Sequence, residues 1–180
     1  MYLSLLTLSN FRNLAELELA LPPGVVVFFG PNAQGKTTLL EAVYLLALAR
    51  SFRTENEREV LNFRAAADGG QGLVGGTIEK EGERVQIIVG YQSTRSTASK
   101  EIPLSNSNQA GFSVRKQIRV GRVRRTAAEL VGTVNAVLFS ADDMRFIQGS
   151  PSHRRRFLDE ARALEPHDGE PTRTWDQGEG

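Results

Sequence analysis

Eight consecutive residues carry the clearest chemistry in this chain: Gly30, Pro31, Asn32, Ala33, Gln34, Gly35, Lys36 and Thr37. They fit G-x-x-x-x-G-K-[ST] at every fixed position, a pattern that cradles nucleotide phosphates. The glycines permit backbone angles that a Cβ hinders, so the loop can turn its N–H groups inward as an anion-binding nest. Lys36 then reaches the β- and γ-phosphates of ATP, and the Thr37 hydroxyl ligates Mg2+. Thr38 offers a second hydroxyl for an α-phosphate.

Such a loop needs a strand before it and a helix after it. Residues 25–29 (VVVFF) form an unbroken apolar run, which predicts a strand buried on both faces. After the loop, Leu39, Leu40, Val43, Tyr44, Leu46 and Ala47 recur at helical spacing, predicting a helix that ends near Arg50. Leu45 and Leu48 widen its apolar surface, so it should be covered on more than one side.

Upstream, residues 2–8 and 14–21 read as two antiparallel strands joined by a turn at Asn10-Phe11-Arg12-Asn13. Downstream, Arg50-Ser51-Phe52-Arg53-Thr54 reads as a basic loop and residues 55–61 as a polar helical turn. Residues 73–79 and 84–89 read as a hairpin, 92–109 as a loop and 117–123 as a strand weakened by Gly121. Thr126 and Glu129 give a capping box for a short helix. Residues 134–139 predict a second buried strand, and 153–164 a helix. Residues 165–180 lose all apolar period and read as a disordered tail, which leaves 1–164 as the folded domain.

The chain has 180 residues, 40% hydrophobic and 24% charged, which suits one globular domain with a sizeable core. Cysteine is absent, which excludes a disulfide framework and a cysteine zinc site. His153 and His167 are too far apart to suggest a metal site. The apolar run 39–49 is too short to span a bilayer and contains Glu41. No membrane association and a cytoplasmic location are expected. The net charge of +1 hides a basic stretch (Arg115, Lys116, Arg119, Arg122, Arg124, Arg125) and an acidic end. This pattern predicts local attraction to polyanions.

Three blocks, LSNFRN, GPNAQGKTTLLEAVYLLALARSFR and VLFSADDMRFIQGSPSHRRRFLD, together resemble the RecF recombination-mediator family. The resemblance runs from residue 1 to about 164. It implies an α/β P-loop NTPase head of the ABC-ATPase (SMC-like) type, a mixed sheet with an N-terminal antiparallel portion. It also implies binding of ATP, Mg2+ and single- and double-stranded DNA in replication, repair and the SOS response to DNA damage. The partners implied are other recombination-mediator proteins and a second copy of the chain with ATP. By the same resemblance Arg12 and Asn13 lie near the nucleotide phosphates, and Arg50 and Arg53 on a DNA-facing loop. Arg115, Arg122 and Arg124 are the further DNA candidates. On the residues alone, Arg12 can equally be a solvated turn residue, and Arg50 can complement a helix C-terminus.

Two elements of a complete head are missing from the sequence: an L-S-x-G-Q signature and an apolar strand ending in Asp-Glu. Phe157-Leu158-Asp159-Glu160 follows three arginines that no buried central strand accommodates. In residues 137–142, Ser140 and Ala141 separate the apolar run from Asp142. The expectation is an N-terminal part of a head that binds nucleotide but hydrolyses little. Two alternatives remain: a small P-loop phosphotransferase using Asp142 or Asp143, or a non-catalytic module that binds nucleotide and a protein partner.

Overall fold

Alternating side chains in the first twenty residues dictate the start of the fold. Strand β1 (Tyr2–Phe11) turns back into β2 (Leu14–Ala20), and the register sets Leu6 against Leu19 and Leu8 against Leu17 on the buried face. Glu16 and Glu18 fall on the opposite face, as a period of two requires. In this computed structural model the described residues are 1–95, 112–139 and Arg155. The chain divides into two compact units, residues 1–138 and 139–180. Of the expected helix 153–164 only Arg155 is described, and it is helical; the rest of that helix, the boundary at 164 and the tail lie outside the described residues, as do Asp142 and Asp143.

Four more strands follow: β3 (Gln71–Lys80), β4 (Glu83–Arg95), β5 (Phe112–Val120) and β6 (Val123–Arg125). Among the described residues the sheet has six strands in the order β2-β1-β3-β4-β5-β6, and each of these pairings is antiparallel. The expected 73–79/84–89 hairpin is present and longer, with β4 continuing through residues read as loop up to Arg95.

Helix α1 (Lys36–Leu48) lies against one face of this sheet. Leu45, Leu46, Ala47 and Leu48 are buried, joining Leu6, Leu8, Val74, Ile87 and Val89 in one core. The approach is close at Gly76, where an added Cβ would sit 2.4 Å from Leu46 Cδ1. A 3-10 turn (Glu57–Glu59) and helix α2 (Phe63–Ala67) fill the segment before β3. The turn falls in the expected place, whereas α2 was not legible in the sequence. Helix α3 (Ala127–Leu130) carries the expected capping box, with Thr126 Oγ1 accepting from Glu129 N–H and Glu129 Oε2 accepting from Thr126 N–H.

Two expectations fail. Residues 25–29 form no strand: they join no ladder, and Val25, Val27 and Phe29 are 92%, 72% and 92% exposed. Residues 134–139 form none either, apart from an isolated bridge between Val131 and Val134, and Val137 is 83% exposed. The reason is non-local. An apolar run becomes a buried strand only when neighbouring strands and covering helices surround it, and neither run pairs with an edge of the described sheet.

Candidate nucleotide site

The loop between residues 29 and 36 owes its shape to three backbone conformations. Gly30, Ala33 and Gly35 have φ of 143°, 65° and 91°. Gly35 is the residue before α1, and no side chain caps the helix there. The first-turn N–H groups, with the positive end of the helix dipole, therefore face the loop. Ala33 holds a left-handed conformation without being glycine, the kind of local strain that concentrates at ligand sites.

Lys36 folds back over this loop. Its Nζ donates to the carbonyls of Gly30 at 2.8 Å and Pro31 at 2.5 Å. Thr38 Oγ1 donates to Asn13 Oδ1 at 3.2 Å, tying the β1–β2 turn to the first turn of α1. A cavity of about 860 Å³ opens here, lined by Arg12, Asn13, Lys36, Thr37, Thr38 and Arg53, with Asn32, Ala33 and Gly35 from the loop. Of the expected phosphate residues, Gly30 and Pro31 contribute through the carbonyls that hold Lys36.

Beside the cavity lies a buried charge network that the sequence reading missed. Glu41, on α1, is fully buried. Arg12 grips its carboxylate, with Nε 3.1 Å from both oxygens and Nη2 2.6 Å from Oε1. Ser51 Oγ donates to Glu41 Oε1 at 2.6 Å, and Arg53 Nη1 to Oε2 at 3.3 Å. Arg12 adopts a left-handed φ of 53° in its turn and also donates from Nη1 to the Glu59 carbonyl at 2.7 Å. The only hint in the sequence was one carboxylate inside the apolar run of α1, a place where an acid needs paired donors.

The cavity has other walls that the sequence did not announce: Asn56, Arg58, Glu59, Leu61, Phe63 and Phe112. The Arg58 guanidinium sits 5.6 Å from the centre of the Phe112 ring, a cation–π distance. Tyr91 lies buried nearby. Burial pushes its hydroxyl well above the usual phenol range, the Glu57 and Glu41 carboxylates add to this, and Arg12 opposes it.

The basic candidates separate. Arg53 lies in the cavity wall, paired with Glu41, rather than only on a loop facing away. Arg50 is exposed just beyond α1. Lys116 turns inward: its Nζ donates to the Ala49 carbonyl at the end of α1, at 2.9 Å, and pairs with Glu57. Arg115 and Arg119 alternate with it on the outer face of β5, and Arg119 stands directly opposite Arg124 on β6. Arg122 occupies the turn between these strands, and all four arginines are exposed.

Among the described residues no group of three or more His, Cys, Asp or Glu side chains could hold a metal ion. Nor is any described helix long and apolar enough to cross a membrane.

Comparison with known proteins places these features in a family. The AAA domain profile matches residues 5–149. The DNA replication and repair protein RecF of Lactobacillus acidophilus is 38% identical over 160 residues, covering 89% of this chain and 36% of that protein. The RecF of Herpetosiphon aurantiacus is 37% identical over 163 residues, covering 88% of this chain and 40% of that one. The solved structure of the recombination mediator RecF with ATP, in the RecFOR pathway, superposes with a TM-score of 0.72 at 31% identity. It covers 93% of this chain and 40% of its own. The RecF–ATPrS structure gives 0.71, also at 31%. The chain thus spans 36–40% of the length of these relatives. It belongs to the AAA domain family and, within it, to the RecF family, with the ATPase-head fold.

Proposed function

We propose that the cavity binds ATP with Mg2+, and that the chain is the nucleotide-binding part of a RecF-like DNA replication and repair protein. The observation that carries this reading is convergence. One cavity is lined by the loop, the uncapped start of α1, Lys36, Thr37 and Thr38, with the Arg12 and Arg53 guanidiniums in its wall. The Lys36 ammonium, now on two loop carbonyls, would transfer to β/γ-phosphate oxygens. Thr37 would give Mg2+ one oxygen and phosphate oxygens and water the rest, the usual sharing for this ion. Mg2+ supplies charge neutralisation between the phosphates.

DNA is the second ligand in this reading. The outer sheet face at Arg115, Arg119 and Arg124, with Arg122 in the adjoining turn and Arg50 beyond α1, offers positive charge without a recognition helix. Such a surface suits phosphate contacts that tolerate any sequence. Partners in recombination mediation, pairing with a second copy around ATP, and a cytoplasmic location follow from the same family reading.

Calorimetric titration with ATP–Mg2+ tests the site. Lys36→Ala removes one charged hydrogen-bond donor, worth roughly 1.5–3 kcal/mol, so affinity should fall by about one to two decades. Equal affinity in mutant and parent would remove the loop from the site.

A further inference from the structure

We infer that Glu41 is a positioning residue for nucleotide binding, acting through Arg12. The inference rests on the nucleotide reading of the cavity and adds to it a residue that no phosphate would touch. Glu41 is fully buried on the helix that the phosphate loop opens, four residues after Thr37. Its carboxylate receives four nitrogen or hydroxyl donors from three side chains: Arg12 Nε and Nη2, Ser51 Oγ and Arg53 Nη1. Two of those side chains, Arg12 and Arg53, line the same cavity as Lys36, Thr37 and Thr38.

The geometry divides the work. A guanidinium has five N–H donors in a rigid fork. Arg12 spends Nε and one proton of Nη2 on Glu41, and one proton of Nη1 on the Glu59 carbonyl. One N–H on each terminal nitrogen remains for the cavity, in a plane fixed by the bidentate grip. Arg53 gives Glu41 a single longer contact and is 43% exposed, so Glu41 fixes it less firmly than Arg12. Ser51 closes the arrangement: its hydroxyl donates to Glu41 and accepts the N–H groups of Arg53 and Thr54. One buried negative charge thus holds two positive ones at the cavity wall; Glu59, whose carboxylate lies 3.9 Å from Arg12 Nη1, offsets the surplus there, and Lys36 and Arg58 keep the lining positive toward a polyphosphate.

If Glu41 acts through Arg12, the two side chains form one functional unit and their losses should not add. The experiment titrates ATP–Mg2+ calorimetrically into the 180-residue chain and its Glu41→Gln, Arg12→Gln, Glu41→Gln/Arg12→Gln and Lys36→Ala variants, with folding followed by circular dichroism. Glu41→Gln keeps the shape but loses the charge and one acceptor, and should weaken ATP on the order of tenfold. Arg12→Gln should do so at least as much, and the double variant should bind within about twofold of Arg12→Gln. A scaffolding role alone would multiply the two losses, and that result, or an unchanged Glu41→Gln affinity, overturns the inference. Should Glu41→Gln not fold, the same cycle is run with Ser51→Ala, which removes one donor to Glu41 and no charge. A smaller loss that disappears in the Arg12→Gln background supports the inference, and one that persists there overturns it. A parent that binds ATP no better than Lys36→Ala would instead remove the nucleotide reading itself.

Discussion

Lys116 and Arg119 show how much one position along a strand decides. Both belong to one basic stretch, yet the period of β5 sends Lys116 to the inner face, onto the Ala49 carbonyl and Glu57, and Arg119 outward opposite Arg124. Lys116→Met should lower unfolding stability by about 1–2 kcal/mol, a charged hydrogen bond discounted for partial exposure. Urea denaturation measures it, and the salt dependence of DNA binding should stay as in the parent. Arg119→Gln should do the reverse. It should leave the urea midpoint unchanged or raise it, because two arginines directly opposite repel. It should also lower the slope of log affinity against log salt by about one. The same residues mark the limit of reading from sequence. Charge is visible in the sequence, but facing is not, because the residue pattern predicts a strand from 117 whereas β5 begins at Phe112. The role of Arg53 was hidden because its partner Glu41 lies in another element.

At the scale of elements, what was legible was local and periodic. The loop, α1, the β1–β2 and β3–β4 hairpins and the capping box of α3 all follow from spacing within a dozen residues. Residues 25–29 and 134–139 have the composition of buried strands and form none, because a buried strand is defined by its surroundings. The seat of α1 illustrates a contact invisible in sequence. Gly76 lets Leu46 rest on β3, so Gly76→Ala should cost about 1–3 kcal/mol by overpacking. Thermal denaturation reads that cost, and Leu46→Val in the same chain should recover part of it. The cap of α3 has a pH signature. Hydrogen bonds from the Thr126 N–H, then its hydroxyl, then the Arg125 charge, hold Glu129 below its ordinary value of 4.5. Its folded pKa is depressed, so the cap contributes fully above about pH 4.5 and is lost as pH falls through the lower folded value. Amide exchange at Glu129, whose N–H the Thr126 hydroxyl accepts, should accelerate only below that point relative to its unfolded rate.

For the whole molecule, the residues of the proposed site are those that would address ground-state phosphates. Phosphoryl transfer also needs a positioned water and charge stabilisation at the γ-phosphate, and the sequence lacks the signature and the Asp-Glu strand that supply them in a complete head. Phosphate release by the 180-residue chain should stay near background, with or without DNA, while ATP still binds. DNA-stimulated release that Lys36→Ala abolishes would overturn this and make Asp142 and Asp143 the acids to replace. Such turnover would also reopen the phosphotransferase reading.

The exposure of residues 25–29 bears on more than solubility, because these residues lead straight into the phosphate loop. The loop is held from the α1 side, by the helix itself and by Lys36 on the Gly30 and Pro31 carbonyls, and it runs back into chain that no ladder holds. It should behave as a cantilever. Part of the free energy of nucleotide binding is then spent in stilling the unanchored side, and the titration should carry an unfavourable conformational entropy. Any polypeptide that gave residues 25–29 a strand to pair with would stiffen the cantilever and tighten ATP without touching it. By reciprocity, ATP would tighten the hold on that polypeptide by the same factor.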